Sequence, residues 1–270
     1  MLVALVVIAA LGLSALGPER GSAAAAAAPA PGVGAAGVRY ADSVFPTVDV
    51  TKDLVYGSAV GAAGTVETLK LDLYEPAGDT LAARPALVYI HGGSFANGDK
   101  SEGTTAATEL ARHGYVVVSI NYRLNPGVLG DFQRLAKGQQ YAGLDARAAV
   151  RWLRRNALVR RIDQRAIGAI GYSAGAITSL NLNYNAYASD PDTSGHPGYP
   201  SNVAASVSLS GYAARLEPAA PPIIMFHGDV DDTVPYAWAT RSCTQTKEMG
   251  NACELVTYAG LSHNIYARYA

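Results

Sequence analysis

Two kinds of apolar pattern divide the chain. Over residues 66–74, Val66, Leu69, Leu71 and Leu73 mostly alternate with polar residues, and 54–58 has the same β character. Together they predict an antiparallel pair at the start of a sheet. After Pro85 the pattern changes: 86–90, 115–120, 203–209 and 223–226 are short, near-continuous apolar runs rich in β-branched residues. Runs of this kind predict strands buried on both faces. Helical patterns fill the intervals, over 102–113 up to Gly114, over 138–158, over 176–183 and over 236–249, with a last strand over 254–258. This alternation predicts an α/β protein with a doubly wound, mostly parallel sheet and helices on both faces. Ligands of such sheets bind beyond the carboxyl ends of the strands, so chemistry-bearing residues are expected just after each run.

Composition adds bounds. A length of 270 residues with 49% hydrophobic content suffices for one large core and gives no sign of a second. The net charge of -1 provides no electrostatic footprint for nucleic acid or an anionic membrane. Arg147, Arg151, Arg154, Arg155, Arg160 and Arg161 alternate with Leu144, Ala148, Trp152 and Leu153, which predicts a solvated helix face. The apolar segment 1–16 is shorter than the about 20 residues needed to span a bilayer. Small residues follow it at 23–28, as at a secretory cleavage site, so 1–28 is expected to be a signal peptide and 29–40 a low-complexity linker. The mature protein is then secreted, with no stable membrane association after cleavage. In an oxidising compartment Cys243 and Cys253 are expected to pair, tying the end of a helix to the next strand. Neither has a metal-ligand partner at suitable spacing. In the irregular stretch 189–202, Asp190 and Asp192 precede Gly195 as in a calcium loop, but the distal glutamate is missing, so a solvated turn is expected.

The chemistry gathers at strand ends. Gly171-Tyr172-Ser173-Ala174-Gly175 follows Ala169 and Ile170 and leads into a helical stretch. A G-x-S-x-G in a strand-turn-helix context lifts the serine hydroxyl above the sheet as a nucleophile. After Ile90 comes His91-Gly92-Gly93-Ser94-Phe95, whose adjacent glycines let backbone amides converge. Gly93 with Ser94, or Gly92 with Gly93, are candidate oxyanion donors, joined by Ala174 beside the serine. After Phe226 the chain reads His227-Gly228-Asp229-Val230-Asp231-Asp232-Thr233-Val234-Pro235. One of its three aspartates is expected to orient an imidazole, and spacing alone does not separate them; Asp232 or Thr233 is a candidate cap for the following helix. Of the five histidines only His263 follows this cluster, in a loop after the last strand. His91 and His227 suit structural hydrogen bonding, and His113 and His196 are expected to be exposed. Phe95, Tyr172 and Trp238 are candidate substrate contacts, with Tyr184, Tyr187 and Tyr236 as further aromatic candidates.

With these motifs in place the chain resembles the α/β-hydrolase superfamily. Within it, the chain resembles H-G-G-motif carboxylesterases of the hormone-sensitive-lipase type and secreted feruloyl and acetyl esterases. Asn121-Tyr122-Arg123-Leu124 is similar to that group's Y-R-L turn, and Asp145-Ala146-Arg147-Ala148-Ala149-Val150-Arg151-Trp152-Leu153 to its D-A-x-x-A-V-R-W-L helix. The family pattern H-G-x-x-D-x-x-V-P implies Asp231 as the acid, with Asp229 in reserve. Ser94 departs from the third glycine of many relatives. The resemblance implies an α/β-hydrolase catalytic domain over 41–270, and the short connection between Leu209 and Ile223 leads to the expectation that it has no cap domain. It also implies a Ser173-Asp231-His263 acyl-enzyme mechanism without metal or cofactor, acting on a small-molecule or polymer-attached ester. A peptidase of the prolyl-oligopeptidase type shares the triad, and a non-catalytic hydrolase-fold binding protein is the rival from another class.

Overall fold

The computed structural model describes residues 38–128, 130–182 and 194–265. The signal peptide and most of the linker expected over 1–40 lie outside the described residues, as do Tyr184, Tyr187 and positions 189–193 of the candidate calcium loop.

The described residues form one eight-stranded sheet. Its strands are β1 (Val48–Val60), β2 (Val66–Pro76), β3 (Arg84–Ile90), β4 (Val116–Ile120), β5 (Ile162–Tyr172), β6 (Ser206–Leu209), β7 (Ile223–Gly228) and β8 (Cys253–Tyr258). The helices are α1 (Thr104–Arg112), α2 (Phe132–Arg155), α3 (Ala174–Asn181) and α4 (Tyr236–Glu248). In space the strands run β1-β2-β4-β3-β5-β6-β7-β8. The β1–β2 and β2–β4 pairs are antiparallel and every later pair is parallel. This is the doubly wound sheet that the two apolar patterns predict.

Alternation within the continuous runs explains the layering. Ala86, Val88 and Ile90 of β3, with Val116, Val118 and Ile120 of β4, join one core cluster with Ala142, Ala149 and Leu153 of α2 and Ile177 of α3. Leu87, Tyr89 and Val117 point the other way, onto Ala107, Leu110 and Ala111 of α1. Successive side chains leave a strand on opposite faces, so a run with no polar member needs helices on both sides. No helix of the described residues is long and apolar enough to cross a membrane. The described segment between β6 and β7 carries neither helix nor strand, which leaves no cap domain there.

Several expectations are corrected. The helix read over 138–158 begins at Phe132, because the Asp131 carboxylate accepts the Gln133 and Arg134 amides and caps a polar first turn. The helix read over 102–113 divides into a 3₁₀ turn, Lys100–Gly103, capped by Asp99, and α1. Arg147, Arg151 and Arg154 are not a solvated face: they are 4%, 8% and 6% exposed. Arg151 donates to the Gly195 carbonyl at 2.8 Å, and Arg154 donates to those of Pro200 and Asn202 at 2.8 and 2.7 Å. The row clamps the chain that returns after α3. His113, expected at the surface, is buried, its Nδ1 bonded to the Glu109 carbonyl at 2.8 Å. Cys243 of α4 and Cys253 of β8 form a disulfide.

Candidate active site

Strand β5 ends at Tyr172, and the chain turns through Ser173 into α3 within one residue. Ser173 has φ 55° and ψ -118°, a backbone conformation that L-residues rarely hold. The flanking glycines make the turn sterically feasible. A Cβ on Gly171 would stand 2.2 Å from the Gly175 carbonyl oxygen, and one on Gly175 would stand 2.0 Å from that of Ile90. Any side chain at either position would push strand and helix apart.

His263 lies in the loop after β8 and is pinned from two sides. Its carbonyl accepts the Ser210 hydroxyl, just beyond β6, at 2.8 Å, and the Tyr172 hydroxyl at 3.4 Å. The imidazole Nε2 sits 2.9 Å from Ser173 Oγ and Nδ1 sits 2.8 Å from Asp231 Oδ2. A carboxylate only accepts, so Nδ1 carries the proton and Nε2 turns its lone pair to the serine hydroxyl. The three residues, drawn from the ends of β5, β7 and β8, therefore form one continuous hydrogen-bonded chain at the carboxyl edge of the sheet.

Geometry also separates the aspartates. The side chain of Asp231 is fully buried, and its Oδ1 accepts the Thr233 and Val234 amides, both at 2.9 Å. Its Oδ2 faces His263. Asp229 instead accepts the Gly260 amide at 2.7 Å, and Asp232 takes the Ser262 hydroxyl at 3.3 Å, both at exposed positions. Neither Asp232 nor Thr233 caps α4: Pro235 stands at that position with no side-chain bond.

The glycine turn after β3 lies against the serine. A Cβ on Gly92 would be 3.3 Å from Ser173 Cβ. Its carbonyl accepts the Tyr122 hydroxyl at 3.0 Å and lies 2.9 Å from His91 Nδ1. The peptide unit is planar and trans, so holding the Gly92 oxygen on that side turns the Gly93 amide to the other. Gly93, Ser94 and Phe95 then follow with φ of 94°, 54° and 61°, a left-handed run in which two members are not glycine. Ala174 opens α3, where an amide has no helical carbonyl to reach. Burial holds the His91 imidazole below its ordinary value, although the bond to Gly92 pulls the other way.

The candidate substrate contacts fare differently. Phe95 is 1% exposed and belongs to the core beneath the turn, with Gly138 of α2 directly against it, so it is not open to a ligand. Tyr172 is half-buried, its ring 5.3 Å from that of His263. Trp238, on α4, is exposed and meets Tyr212 edge-on at 5.0 Å. Whereas His227 makes a structural hydrogen bond, to the Val234 carbonyl, as expected, Tyr122 and Ser210 are neighbours of the site that sequence reasoning did not assign to it. Each stands at or just beyond the carboxyl end of a strand, and that position was the available signal. Among the described residues no group of three or more His, Cys, Asp and Glu side chains is gathered to hold a metal.

Comparison with known proteins agrees with this architecture. The chain is 32% identical over 124 residues to fumonisin B1 esterase of Sphingopyxis macrogoltabida, covering 43% of this chain and 23% of that protein. It is 36% identical over 107 residues to neuroligin-3 of Mus musculus, a name that states no catalytic activity, covering 38% of this chain and 13% of that one. The matched stretch thus spans less than a quarter of either relative. The solved structure of the esterase Est2 of Thermogutta terrifontis superposes with a TM-score of 0.65 at 23% identity, covering 82% of this chain and 84% of that one, and shows the shared fold. The BD-FAE family model matches residues 71–214, more than half of the chain and a span that takes in both the glycine turn and the serine elbow, so the chain belongs to the BD-FAE family and has the α/β-hydrolase fold.

Proposed function

We propose that this protein is a secreted serine carboxylesterase that hydrolyses short-chain, aryl or polymer-attached esters through an acyl-enzyme. The observation that carries the proposal is the chain of hydrogen bonds from Ser173 Oγ through His263 to Asp231. His263 Nε2 takes the Ser173 proton as Oγ bonds to the ester carbonyl carbon, and the carbonyl electron pair moves onto oxygen. The amides of Gly93 and Ala174, with those of Gly92 and Ser94 as the neighbouring candidates, donate to that oxyanion; one such donor contributes about 3 to 4 kcal/mol to the transition state. The pair then returns, the C–O bond to the alcohol breaks, and His263 gives its proton to the leaving oxygen. A water, deprotonated by His263, repeats the sequence on the acyl-enzyme and regenerates Ser173. Asp231 holds the tautomer throughout and stabilises the imidazolium.

An ester substrate is supported by the names of the relatives that state an activity, fumonisin B1 esterase and carboxylesterase 3 among them. Export is supported by the disulfide and by the apolar segment at 1–16. The deciding experiment is Ser173→Ala assayed with an activated short-chain ester, together with labelling of the unmodified protein by a fluorophosphonate. Activity and labelling should both vanish in the variant while the fold persists. Turnover that survives the substitution removes the serine mechanism, and a wild-type chain that neither labels nor turns over points to a binding protein.

A further inference from the structure

Of the buried imidazoles that the mechanism does not use, one lies beside the triad. His227 is the penultimate residue of β7, four residues before Asp231, and its side chain is fully buried. Its Nε2 lies 2.8 Å from the Val234 carbonyl oxygen and 3.0 Å from Asp231 Oδ2. A carbonyl oxygen has no proton to give, so the nitrogen that faces it must carry one. The same nitrogen stands within ion-pair distance of the carboxylate, so the N–H directed at Val234 also brings its partial positive charge up to Asp231 Oδ2. At the far side of the ring, Nδ1 is buried with no hydrogen-bond partner among the described residues. That suits an unprotonated nitrogen, since a buried unpartnered N–H carries the larger desolvation cost. Val234 is drawn in by a second bond, its amide donating to Asp231 Oδ1 at 2.9 Å, so ring, carboxylate and the 231–234 turn close one compact circuit.

Asp231 Oδ2 thus stands between two imidazoles, His263 at 2.8 Å and His227 at 3.0 Å. We infer that His227 is a positioning residue that holds the Asp231 carboxylate in place through Nε2–H and draws part of its charge away from His263. The inference rests on the reading of Ser173, His263 and Asp231 given above. Hydrogen bonding to a carboxylate stabilises its charged form, and the more of that charge is taken up by His227, the less is available to hold a proton on His263. A variant without that N–H would leave the whole carboxylate charge facing His263, so the pH dependence of catalysis is where the role of His227 is read. Other groups also face the pair. Ser173 lies on the opposite side of His263, the Tyr172 hydroxyl reaches the His263 carbonyl, Asp232 is bonded through Ser262, Asp229 is bonded to Gly260, and the edge of Tyr236 meets the His227 ring at 5.9 Å. None of these groups is recorded in contact with the carboxylate oxygen that His263 uses; among the described residues the other imidazole beside that oxygen is His227, at 3.0 Å.

The test compares His227→Leu, which fills the volume without a donor, with His227→Gln, whose amide can place an N–H where Nε2 stands. kcat and KM for an activated aryl acetate are measured across about pH 5 to 9, the range in which an imidazole base titrates. His227→Leu should lose roughly ten- to a hundredfold in kcat, the size of one charge-assisted hydrogen bond, with KM little changed. Its acid limb should move to higher pH, and His227→Gln should restore both the limb and most of kcat. Wild-type kcat and limb in His227→Leu overturn the inference. So does an equal loss in both variants with an unmoved limb, which is what a packing role predicts. Should the leucine variant not fold, nitrogen-15 NMR of the wild-type protein decides: a proton on Nε2 of His227 sustains the inference, and a proton on Nδ1 alone overturns it. Ser173→Ala run alongside separates the two levels. If it keeps turnover, the triad reading fails; if it is dead while His227→Leu is unaffected, only the role of His227 fails.

Discussion

Asp231 and His263 are 32 residues apart in sequence and 2.8 Å apart in space, and the carboxylate that makes this contact is otherwise fully committed to backbone amides and a second imidazole. Two neighbouring aspartates share the turn, yet only this one is buried. Asp231→Asn should therefore lower kcat by about four orders of magnitude, the loss expected when the imidazole is left in the wrong tautomer. Asp229→Asn and Asp232→Asn, which keep an acceptor oxygen for their exposed partners, should stay within about twofold of wild type. Steady-state kinetics on the three variants checks the ranking, and a larger loss at Asp229 would relocate the acid.

The elbow stores strain that a second substitution can read. Ser173 holds φ 55° and ψ -118°, which costs a non-glycine residue about 1 to 3 kcal/mol. Ser173→Ala keeps that cost, whereas Ser173→Gly removes it and gives back up to about 1 kcal/mol in unfolded-chain entropy. Both variants should be inactive, and the glycine variant should be the more stable by about 1 kcal/mol in denaturant titration. Equal stability would mean that the elbow is not strained.

These two sites also show where sequence reasoning reaches and where it stops. The parallel strands were legible because burial on both faces leaves a continuous apolar run, and the elbow because only a strand-turn-helix context needs glycine at 171 and 175. Strand β5 was mostly hidden: Asp163, Gln164 and Arg165 interrupt its start, so only Ala169 and Ile170 read as a strand. Phe95 was misread because adjacency to a functional turn says nothing of which way a side chain leaves a left-handed backbone. The arginines of α2 were misread for a different reason. Helical spacing reports which residues share a face, not whether carbonyls of a distant segment will arrive to cover it. The close approach of His227 to Asp231 depends on a turn that no pattern of residue types specifies.

Stability should fall in acid in two stages. Burial holds His91 and His196 below their ordinary value of 6.5, and at His196 the charges of Arg155 and Arg151 add to the effect. Below that value the unfolded chain binds protons that the folded chain resists, so stability drops as pH falls from about 6.5 through the folded values, and is level above it. Asp79 supplies the second stage. Its burial acts to raise its value from 3.8, but the bonds from Arg39 and the Leu81 amide outweigh this and lower it. Its contribution is complete above the ordinary carboxylate range and lost beneath it. Tm measured across the acid range should show both declines, and His196→Gln should flatten the first. A constant Tm between about pH 7 and 5 would contradict the assignment.

The buried arginine row makes the last prediction, because it lies at the end of β5 remote from Ser173. Arg154 donates to the carbonyls of Pro200 at 2.8 Å, Asn202 at 2.7 Å and Gln164 at 3.3 Å, joining the start of β5 to the segment that returns from α3. Burial lowers the affinity of its guanidinium for a proton, yet a guanidinium remains charged at any pH at which the protein folds. Arg154→Ala strands three carbonyls and should cost about 3 kcal/mol, enough to lower Tm by roughly 6 to 12 °C in a domain of this size. Arg154→Lys should recover only part, since one ammonium on a flexible stem does not span acceptors that a planar fork reaches together. At room temperature kcat should be unchanged in both, because the elbow, His263 and Asp231 are held from the other edge of the sheet. A variant that loses kcat while keeping Tm would show instead that the row acts on the site, and would rule out a purely structural clamp.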